Sequence, residues 1–250
     1  MANPAKTASL YRMVMPDHVC PYGLKAKALL ERKGYEVEDH WLKTREETDR
    51  FQQEHDVETT PQTFIDGKRI GGYDDVRAFF GQHVMKEGET SYTPVIALFA
   101  MAFLMAFAAH FALTGTLVAV KSFEWFVAFS MCLLALQKLQ DVESFSTMFL
   151  NYDLLARKQV LYGYVYPFAE AFAGICMVAG IFTFLAAPVA LFIGLVGAFS
   201  VFKAVYIDKR ELKCACVGGN SNVPLGFVSL TENLMMVAMA IWMPLMHGLV

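Results

Sequence analysis

The chain has 250 residues, of which 56% are hydrophobic, and a formal net charge of −3 at pH 7. This near-neutral balance argues against a nucleic-acid partner. Charge is concentrated in residues 1–90, whereas Phe, Ala, Leu, Val and Met dominate from Pro94 onward. We therefore predict two domains, a cytosolic domain over residues 1–90 and a membrane domain over residues 91–250.

The predicted elements of the first domain follow the order β-α-β-α-β-β-α. Apolar periodicity, a capping box that begins at Thr44 and an Asp66-Gly67 turn mark their ends. The predicted ranges are strand 8–14, helix 21–33, strand 35–42, helix 44–56, two strands within 62–70, and a helix that opens at Tyr73. This order is typical of an α/β thioredoxin-like domain.

Cys20 lies directly before the first predicted helix, in "DHVCPYG". The backbone N–H groups of a helix N-terminus favour a thiolate, and Pro21 suits the first helical turn. The segment "TTPQTF" offers a Thr-Pro pair for a cis proline beside the thiol, and "GGYDD" opens a helix suited to an anion or amine pocket. A cysteine alone at this position is most often a small buried residue, but the three elements together predict a redox site.

The segments "CPYG", "KAKALLERKGYE" and "TTPQTFIDGKRIGGYDDVRAF" resemble glutaredoxin over residues 8–85. The resemblance implies glutathione as cofactor and partner, Cys20 as the nucleophile, and Tyr22 as the aromatic residue of the active-site loop. It further implies that the glutathione-binding residues are Tyr22, Thr60, Pro61, Gly72, Tyr73, Asp74 and Asp75.

The sequence departs from the glutaredoxin pattern in two places. Gly23 stands where a Cys-x-x-Cys motif has its second cysteine, so a disulfide within the motif is excluded. The basic residue usually found just before the nucleophile is absent, and "MVMPDHV" predicts an altered loop. Arg12 or His18 is the candidate for the missing positive charge.

Five apolar segments of the second domain approach the ~20 residues that a membrane helix needs. They predict an all-α bundle of four to five spans at 94–118, 124–140, 161–186, 188–206 and 225–246. Residues 141–159 are amphipathic and are predicted to lie at the membrane interface. The first residues lack a secretory signal, and Lys and Arg concentrate in loops on the N-terminal side. We therefore expect a multi-pass protein of the bacterial inner membrane with a cytosolic N-terminal domain.

Cys214 and Cys216 flank Ala215 in a basic, glycine-rich loop before the last span. A Cys-x-Cys pair forms a strained, reducible disulfide or binds a soft metal ion through two thiolates. We therefore predict that this pair takes part in thiol chemistry on the cytosolic face.

Polar residues within or beside the spans form a second candidate site. Ionisable groups at such depth are costly and usually mark function, although a lysine near a helix end also reaches the interface by snorkelling. The candidate residues are Lys138, Asp141, Glu170, Glu232 and Asn233.

Cys132 and Cys176 fall near the middle of the second and third spans. Thiols in apolar helices are most often packing residues. The alternative is a relay that passes reducing equivalents through the membrane, onward to a lipid-soluble carrier such as a quinone.

The second domain is similar to the MauE branch of DoxX-like membrane proteins. The likeness covers most of residues 94–246 and is carried by "KLQDVESFSTMFLNYDLL", "YPFAEAFAG" and "CACVGGNSNVPLGFVSLTEN". Its most specific parts are the Cys-x-Cys-x-Gly loop and the Lys-x-x-Asp segment. Because MauE is associated with disulfide formation in an exported partner, the resemblance implies thiol redox chemistry.

The favoured hypothesis is a membrane-anchored, glutathione-dependent thiol–disulfide oxidoreductase in which Cys20 exchanges with Cys214 and Cys216. Its substrate would be a thiol or disulfide protein or small molecule. The alternative is a transporter or channel for a soft metal or a thiol-conjugated solute, with metal bound by Cys214 and Cys216. A third hypothesis is a sensor that holds a glutathione-ligated cluster through Cys20.

Overall fold

The computed structural model describes residues 6–86, 89–215 and 223–247. Contacts divide the chain into two units, Met1–Glu87 and Gly88–Val250.

The N-terminal unit is a sheet with helices packed on it. Its elements are β1 (Lys6–Met15), β2 (His18–Val19), α1 (Pro21–Arg32), β3 (Tyr35–Leu42), α2 (Arg45–His55), β4 (Gln62–Ile65), β5 (Lys68–Gly71) and α3 (Tyr73–Phe79). Strand β1 is central, because it pairs in parallel with β3 and antiparallel with β4, which in turn pairs with β5. The predicted α/β thioredoxin-like fold class is confirmed.

A small core joins α1 and α3 to the sheet. Leu29 and Leu30 of α1 and Val76 of α3 pack with Ala8 and Ile65 of the strands. These are the apolar positions that recur at helical and strand spacing in the sequence, so burial of one face explains why the segments fold as they do.

The altered loop before Cys20 is a β-hairpin. Strand β1 continues to Met15, and β2 returns beside it with Val14 opposite Val19. The backbone N–H of Cys20 then donates to the carbonyl of Met13 at 3.1 Å. The hairpin therefore ties the start of α1 to the end of β1.

The second unit contains six α-helices within the described residues. They are α4 (Thr93–Thr114), α5 (Val120–Leu139), α6 (Val142–Phe149), α7 (Val160–Ala179), α8 (Thr183–Phe202), which continues as a π-helical turn over Lys203–Ile207, and α9 (Phe227–His247). Five of them, all except α6, are long and apolar enough to cross a membrane, which confirms the predicted helical membrane bundle.

Three limits of the predicted spans differ from the helix ends in the structure. The first span ends at Thr114 rather than 118, because Gly115 adopts a left-handed conformation with φ 71°. The third span ends at Ala179 because Gly180 does the same with φ 68°, and α8 begins at Thr183 with Pro188 inside it. The predicted break next to Pro188 is therefore absent, since a membrane helix tolerates an internal proline.

Small residues let the long helices approach closely. A Cβ on Gly174 would lie 2.8 Å from Cys132 Sγ, and one on Gly194 would lie 3.0 Å from a methyl group of Val237. A Cβ on Gly197 would collide with the carboxamide of Asn233. Close packing at small residues is the usual basis of helix association in membranes, and here it leaves room for a polar side chain between α8 and α9.

The amphipathic segment 141–159 is α-helical only over α6. Phe145 and Phe149 of α6 are each 3% exposed, and their rings lie 5.9 and 4.8 Å from that of Tyr166 in α7. The aromatic face of α6 thus packs against the core of the helix bundle.

Candidate functional sites

Cys20 occupies the N-cap position of α1. Its backbone is extended, its side chain makes no capping hydrogen bond, and Pro21 is the first helical residue. The residue is only 3% exposed. Cys20 therefore lies at the N-terminal end of α1, the positive end of the helix dipole.

Gly23, at the position of the missing second cysteine, is packed against Arg12. A Cβ on residue 23 would lie 2.7 Å from both Cβ and Cδ of Arg12, closer than real Cβ atoms approach. The space that a resolving cysteine would need is thus filled by the aliphatic stem of an arginine in β1. The packing of Arg12 against Gly23 therefore disfavours a second cysteine in the motif.

Arg12 is held there by an ion pair with Asp39 of β3. Arg12 Nε and Nη2 donate to the two carboxylate oxygens of Asp39 at 2.8 Å each, and Lys27 Nζ donates to the same carboxylate at 3.0 Å. Partial burial alone would raise the pKa of Asp39, but the hydrogen bonds from Arg12 and Lys27 hold it well below its usual range. Arg12 is thus paired with Asp39, and the assignment of the missing positive charge to Arg12 or His18 stays a prediction.

Four of the predicted glutathione-binding residues form two close pairs, Tyr22 with Tyr73 and Gly72 with Pro61. The rings of Tyr22 and Tyr73 lie 6.5 Å apart, and Tyr22 is 56% exposed. Lys25 Nζ lies 5.5 Å from the Tyr22 ring centroid and 5.9 Å from that of Tyr73. A Cβ on Gly72 would lie 3.6 Å from the carbonyl oxygen of Pro61. Lys25 was not foreseen from the sequence, since its contact with Tyr73 spans two helices.

The Thr60-Pro61 peptide bond is cis, as the sequence suggested. Residue Gln62, next in the chain, pairs with Tyr11 near the end of β1 that also binds Cys20. Pro61 and Cys20 therefore lie at the same end of the sheet.

The two predicted acidic contacts of glutathione have partners within α3. Asp75 Oδ2 accepts a hydrogen bond from the Gly72 N–H at 2.8 Å, and Asp74 forms an ion pair with Arg77 at 3.4 Å. Asp75 thereby caps the helix. The side chain of Asp74 is 61% exposed.

Cys214 is fully buried in the second unit rather than displayed on a loop. Its exposed fraction is 0%, its N–H donates to the Val223 carbonyl at 2.8 Å, and its Sγ lies 3.1 Å from Ser229 Oγ in α9. Cys216 lies outside the described residues. Among the residues that the structure describes, no group of three or more His, Cys, Asp or Glu side chains is arranged to hold a metal ion.

Three ionisable residues from three helices meet in the core of the second unit. Lys138 Nζ of α5 donates to Glu170 Oε1 and Oε2 of α7 at 2.8 and 2.6 Å, and to Glu232 Oε1 of α9 at 2.8 Å. The three side chains are 1%, 0% and 3% exposed. Lys138 is buried, so snorkelling to the interface does not describe it.

Polar contacts continue from this cluster toward Cys214. The ammonium of Lys138 lies 5.3 Å from the ring centroid of Tyr166, whose hydroxyl donates to Asn233 Oδ1 at 3.4 Å. Asn233 Nδ2 in turn donates to the carbonyl of Ser229 at 2.7 Å, and Ser229 contacts the thiol of Cys214. Tyr166, which the sequence analysis did not single out, is the link between the cluster and Asn233.

The family of methylamine utilisation protein MauE matches residues 115–246, more than half of the chain and all of the helices that form this cluster. The chain belongs to the MauE family. The glutaredoxin family matches residues 9–70, so a glutaredoxin domain precedes the MauE domain. Both predicted resemblances are confirmed.

Curated relatives match the glutaredoxin domain. Glutaredoxin 1 of Rickettsia prowazekii (strain Madrid E) is 43% identical over 60 residues, which cover 23% of this chain and 63% of that protein. Glutaredoxin 1 of Rickettsia typhi (strain ATCC VR-144 / Wilmington) is 42% identical over 60 residues, which cover 23% of this chain and 58% of that protein. The chain thus spans about three fifths of the length of these relatives. A glutaredoxin domain is thus joined to a MauE domain with helices long and apolar enough to cross a membrane.

Asp141 does not belong to the charge cluster of the MauE domain. It precedes α6, where its carboxylate accepts a hydrogen bond from the Ser144 N–H at 2.9 Å and caps the helix. Asp141 is exposed. Its place at the end of a membrane span thus reflects a helix cap at the surface of the bundle rather than a buried site.

Cys132 and Cys176 have different surroundings in the MauE domain. Cys132 packs on Gly174, whereas Cys176 lines a narrow apolar cavity with Met177, Thr183, Ala187 and Met243, among others. Both thiols are free. The relay between them stays a prediction.

Proposed function

We propose that this chain is a membrane-anchored, glutathione-dependent thiol–disulfide oxidoreductase. The observation that carries the proposal is the packing of Gly23 against Arg12, which leaves no room for a resolving thiol in the motif that begins at Cys20. A nucleophile without a neighbour must pass its disulfide to another thiol. Glutathione and the cysteines of the MauE domain are the two candidates.

The exchange starts from the Cys214–Cys216 disulfide as oxidant and uses two glutathione thiols as reductant. The Cys20 thiolate attacks the Cys214–Cys216 disulfide, one S–S bond breaks as the Cys20 mixed disulfide forms, and the displaced sulfur leaves as a thiolate. A glutathione thiolate then attacks the mixed disulfide at Cys20, which releases the MauE thiol. A second glutathione thiolate regenerates Cys20 and leaves oxidised glutathione, and every step is reversible.

The surface beside Cys20 suits glutathione, which carries two carboxylates and one ammonium group. The exposed Tyr22 ring and Tyr73 flank Lys25, whose ammonium group supplies the positive charge that one glutathione carboxylate needs. The exposed carboxylate of Asp74 suits the ammonium group of the γ-glutamyl end. Pro61 and Thr60 complete the proposed site at the start of β4.

The MauE domain contributes Cys214 as the second proposed reaction partner. Fusion to the glutaredoxin domain raises the effective concentration of one thiol at the other to about millimolar when the linker is flexible. Because Cys214 is fully buried against Ser229, exchange requires that its sulfur become accessible. In the proposal, Cys20 attacks the sulfur of Cys216, and Cys214 is the thiolate that leaves.

The asymmetry of basic residues supports a cytosolic glutaredoxin domain in a bacterial inner membrane. Basic residues cluster on the side of the bundle where α5 and α8 end, and the opposite side carries Lys121. The basic residues on the first side are Lys138, Arg157, Lys158, Lys203, Lys209, Arg210 and Lys213. By the positive-inside rule that side faces the cytosol.

Mass spectrometry of membranes tests the exchange. Membranes that contain the full-length chain are freed of glutathione, oxidised, acid-quenched and alkylated, and peptides joined to Cys20 are identified. We expect a disulfide from Cys20 to Cys214 or Cys216 in the wild-type chain. The matched control, Cys132→Ser with Cys176→Ser, keeps the adduct, whereas Cys214→Ser with Cys216→Ser loses it.

Glutathione dependence is measured separately with a glutathionylated peptide and glutathione reductase. We expect turnover by the full-length protein, none by Cys20→Ser, and a raised KM for glutathione in Lys25→Ala. An adduct of Cys20 with Cys132 or Cys176 alone, or turnover that survives Cys20→Ser, contradicts the proposal.

A further inference from the structure

The buried cluster of Lys138, Glu170 and Glu232 carries an unbalanced charge. One ammonium faces two carboxylates, so the cluster has a net charge of −1 when all three groups are ionised. All three side chains are at most 3% exposed, so water does not screen that charge. An uncompensated charge in such surroundings is strongly unfavourable, and groups in this position normally become neutral instead.

The hydrogen-bond pattern shows where the imbalance lies. Both oxygens of Glu170 and Oε1 of Glu232 accept from Lys138. Glu232 Oε2 is buried and has no hydrogen-bond partner within the described part of the chain. A carboxylate oxygen in that state lacks the donor that ionisation demands.

Over the described residues, the neighbouring elements supply no second cation to balance the cluster. From α7, Tyr166 presents its ring to the ammonium, and from α9, Asn233 accepts from the Tyr166 hydroxyl. Cys132 on α5 and Tyr162 on α7, whose ring lies 6.0 Å from that of Tyr166, are the other titratable groups nearby. Helix α8 has no ionisable side chain over Thr183–Phe202, and Glu143 of α6 is engaged outside the core by Tyr164.

We propose that the Lys138–Glu170–Glu232 cluster is a proton-binding site that holds one exchangeable proton on its pair of carboxyl groups. The proton removes the excess charge and turns the unpartnered oxygen of Glu232 into part of a neutral carboxylic acid. The site does not rest on the proposed thiol exchange. It gives the MauE domain a proton that it binds or releases as the pH of the adjoining solution changes.

Infrared spectroscopy of the full-length protein in lipid nanodiscs tests the site. A neutral carboxylic acid in an apolar interior has a carbonyl band separate from those of carboxylates and amides, and exchange into D2O lowers its frequency. We expect the wild-type protein to show such a band, to keep it at neutral pH, and to lose it at alkaline pH.

Three variants locate the proton. Glu232→Gln and Glu170→Gln each leave one carboxylate opposite Lys138, so each should remove the cluster's band entirely. The matched control is Glu124→Gln, which alters a buried carboxylate that contacts Lys121 and Trp242 instead. This control should retain the band.

A bound proton and a bound metal cation give different results in these measurements. The proposal is wrong if the wild-type protein lacks the carboxylic-acid band. It is also wrong if the band persists in both Glu170→Gln and Glu232→Gln. The wild-type spectrum tests the proposal even if a variant fails to fold. Replacement of Na⁺ by choline at constant ionic strength should leave the band and the melting temperature unchanged. Stabilisation by Na⁺ without a protonated acid band would assign the site to a metal cation and overturn the proposal.

Discussion

The two domains each contain a three-residue charge cluster, and the two clusters have opposite compositions. In the glutaredoxin domain, one carboxylate, Asp39, lies between two cations, Arg12 and Lys27. In the MauE domain, one cation, Lys138, lies between two carboxylates. Each cluster therefore carries one unit of excess charge when its members are ionised.

The two clusters differ in how far their excess charge is exposed to solvent. Lys27 keeps 33% of its side chain exposed, so solvent screens the extra positive charge of the Asp39 cluster. No member of the Lys138 cluster is more than 3% exposed. The first cluster consequently serves to position Arg12 against Gly23, whereas the second requires a proton or another ligand to balance it.

The largest expected effect comes from removing the cation of the buried cluster. Lys138→Met leaves the carboxyl groups of Glu170 and Glu232 without their cation in the membrane core, which should lower the free energy of unfolding by about 3–5 kcal/mol at neutral pH. The loss should shrink at acid pH, where both carboxyl groups are neutral. Thermal unfolding in detergent between neutral and acid pH measures it. A loss that does not change with pH would contradict the electrostatic cause.

Removal of the central carboxylate should have a smaller effect in the glutaredoxin domain. Asp39→Asn should lower the free energy of unfolding by about 1.5–3 kcal/mol at neutral pH, since Arg12 and Lys27 lose a charged acceptor. Because folding lowers the pKa of Asp39, its contribution is complete above the unfolded value of ~3.9 and is lost as the pH falls below it.

Trp41 fluorescence during urea unfolding measures this effect, since the Arg12 guanidinium lies 5.8 Å from the Trp41 ring centroid. A background of Trp125→Phe and Trp242→Phe makes Trp41 the sole reporter among the three tryptophans. Asp49→Asn, in an exposed pair with Arg45, should change the free energy by less than about 0.5 kcal/mol. Equal effects of the two substitutions would show that the Asp39 cluster behaves like a surface ion pair.

Gly23→Ala tests whether the Asp39 cluster positions Arg12. The new methyl group collides with the Arg12 stem, so we expect a loss of about 1–3 kcal/mol in the free energy of unfolding, despite the higher helix propensity of alanine. The Trp41 assay measures it, with Glu31→Ala at an exposed site of the same helix as the control. Stabilisation by Gly23→Ala would mean that Arg12 moves aside freely.

The smallest expected effect distinguishes Asp141 from the buried carboxylates. Asp141→Ala removes the cap of α6 and should cost about 1 kcal/mol. Asp141→Asn should cost almost nothing, because asparagine caps equally well. Both variants should keep the protonated-acid infrared band. Loss of the band in Asp141→Asn would place Asp141 in electrostatic contact with the cluster.

Local patterns were sufficient to predict most elements and the position of Cys20. Strand β3 was predicted with its observed limits of Tyr35–Leu42, and Thr44 accepts from the Glu47 N–H as the capping pattern required. These features depend on neighbouring residues. The same holds for the five membrane helices, whose lengths follow from runs of apolar residues.

Contacts between distant segments were not predictable in the same way. The positions of Lys138, Glu170 and Glu232 within or beside the predicted spans identified each residue as a candidate separately. The contacts among the three side chains depend on how α5, α7 and α9 pack. The same criterion wrongly included Asp141, because it does not distinguish a helix cap from a buried acid. Likewise, nothing in the local sequence of α1 indicates that Arg12 fills the space beside Gly23.

The contact between Gly23 and Arg12 also constrains how this chain can evolve. A descendant that acquired Gly23→Cys would gain a second thiol but collide with Arg12, and one that first shortened Arg12 would leave Asp39 with one cation fewer. Each single step is therefore deleterious before the pair becomes useful. The two positions are epistatic, and reversion to a two-cysteine motif requires both changes in the same lineage.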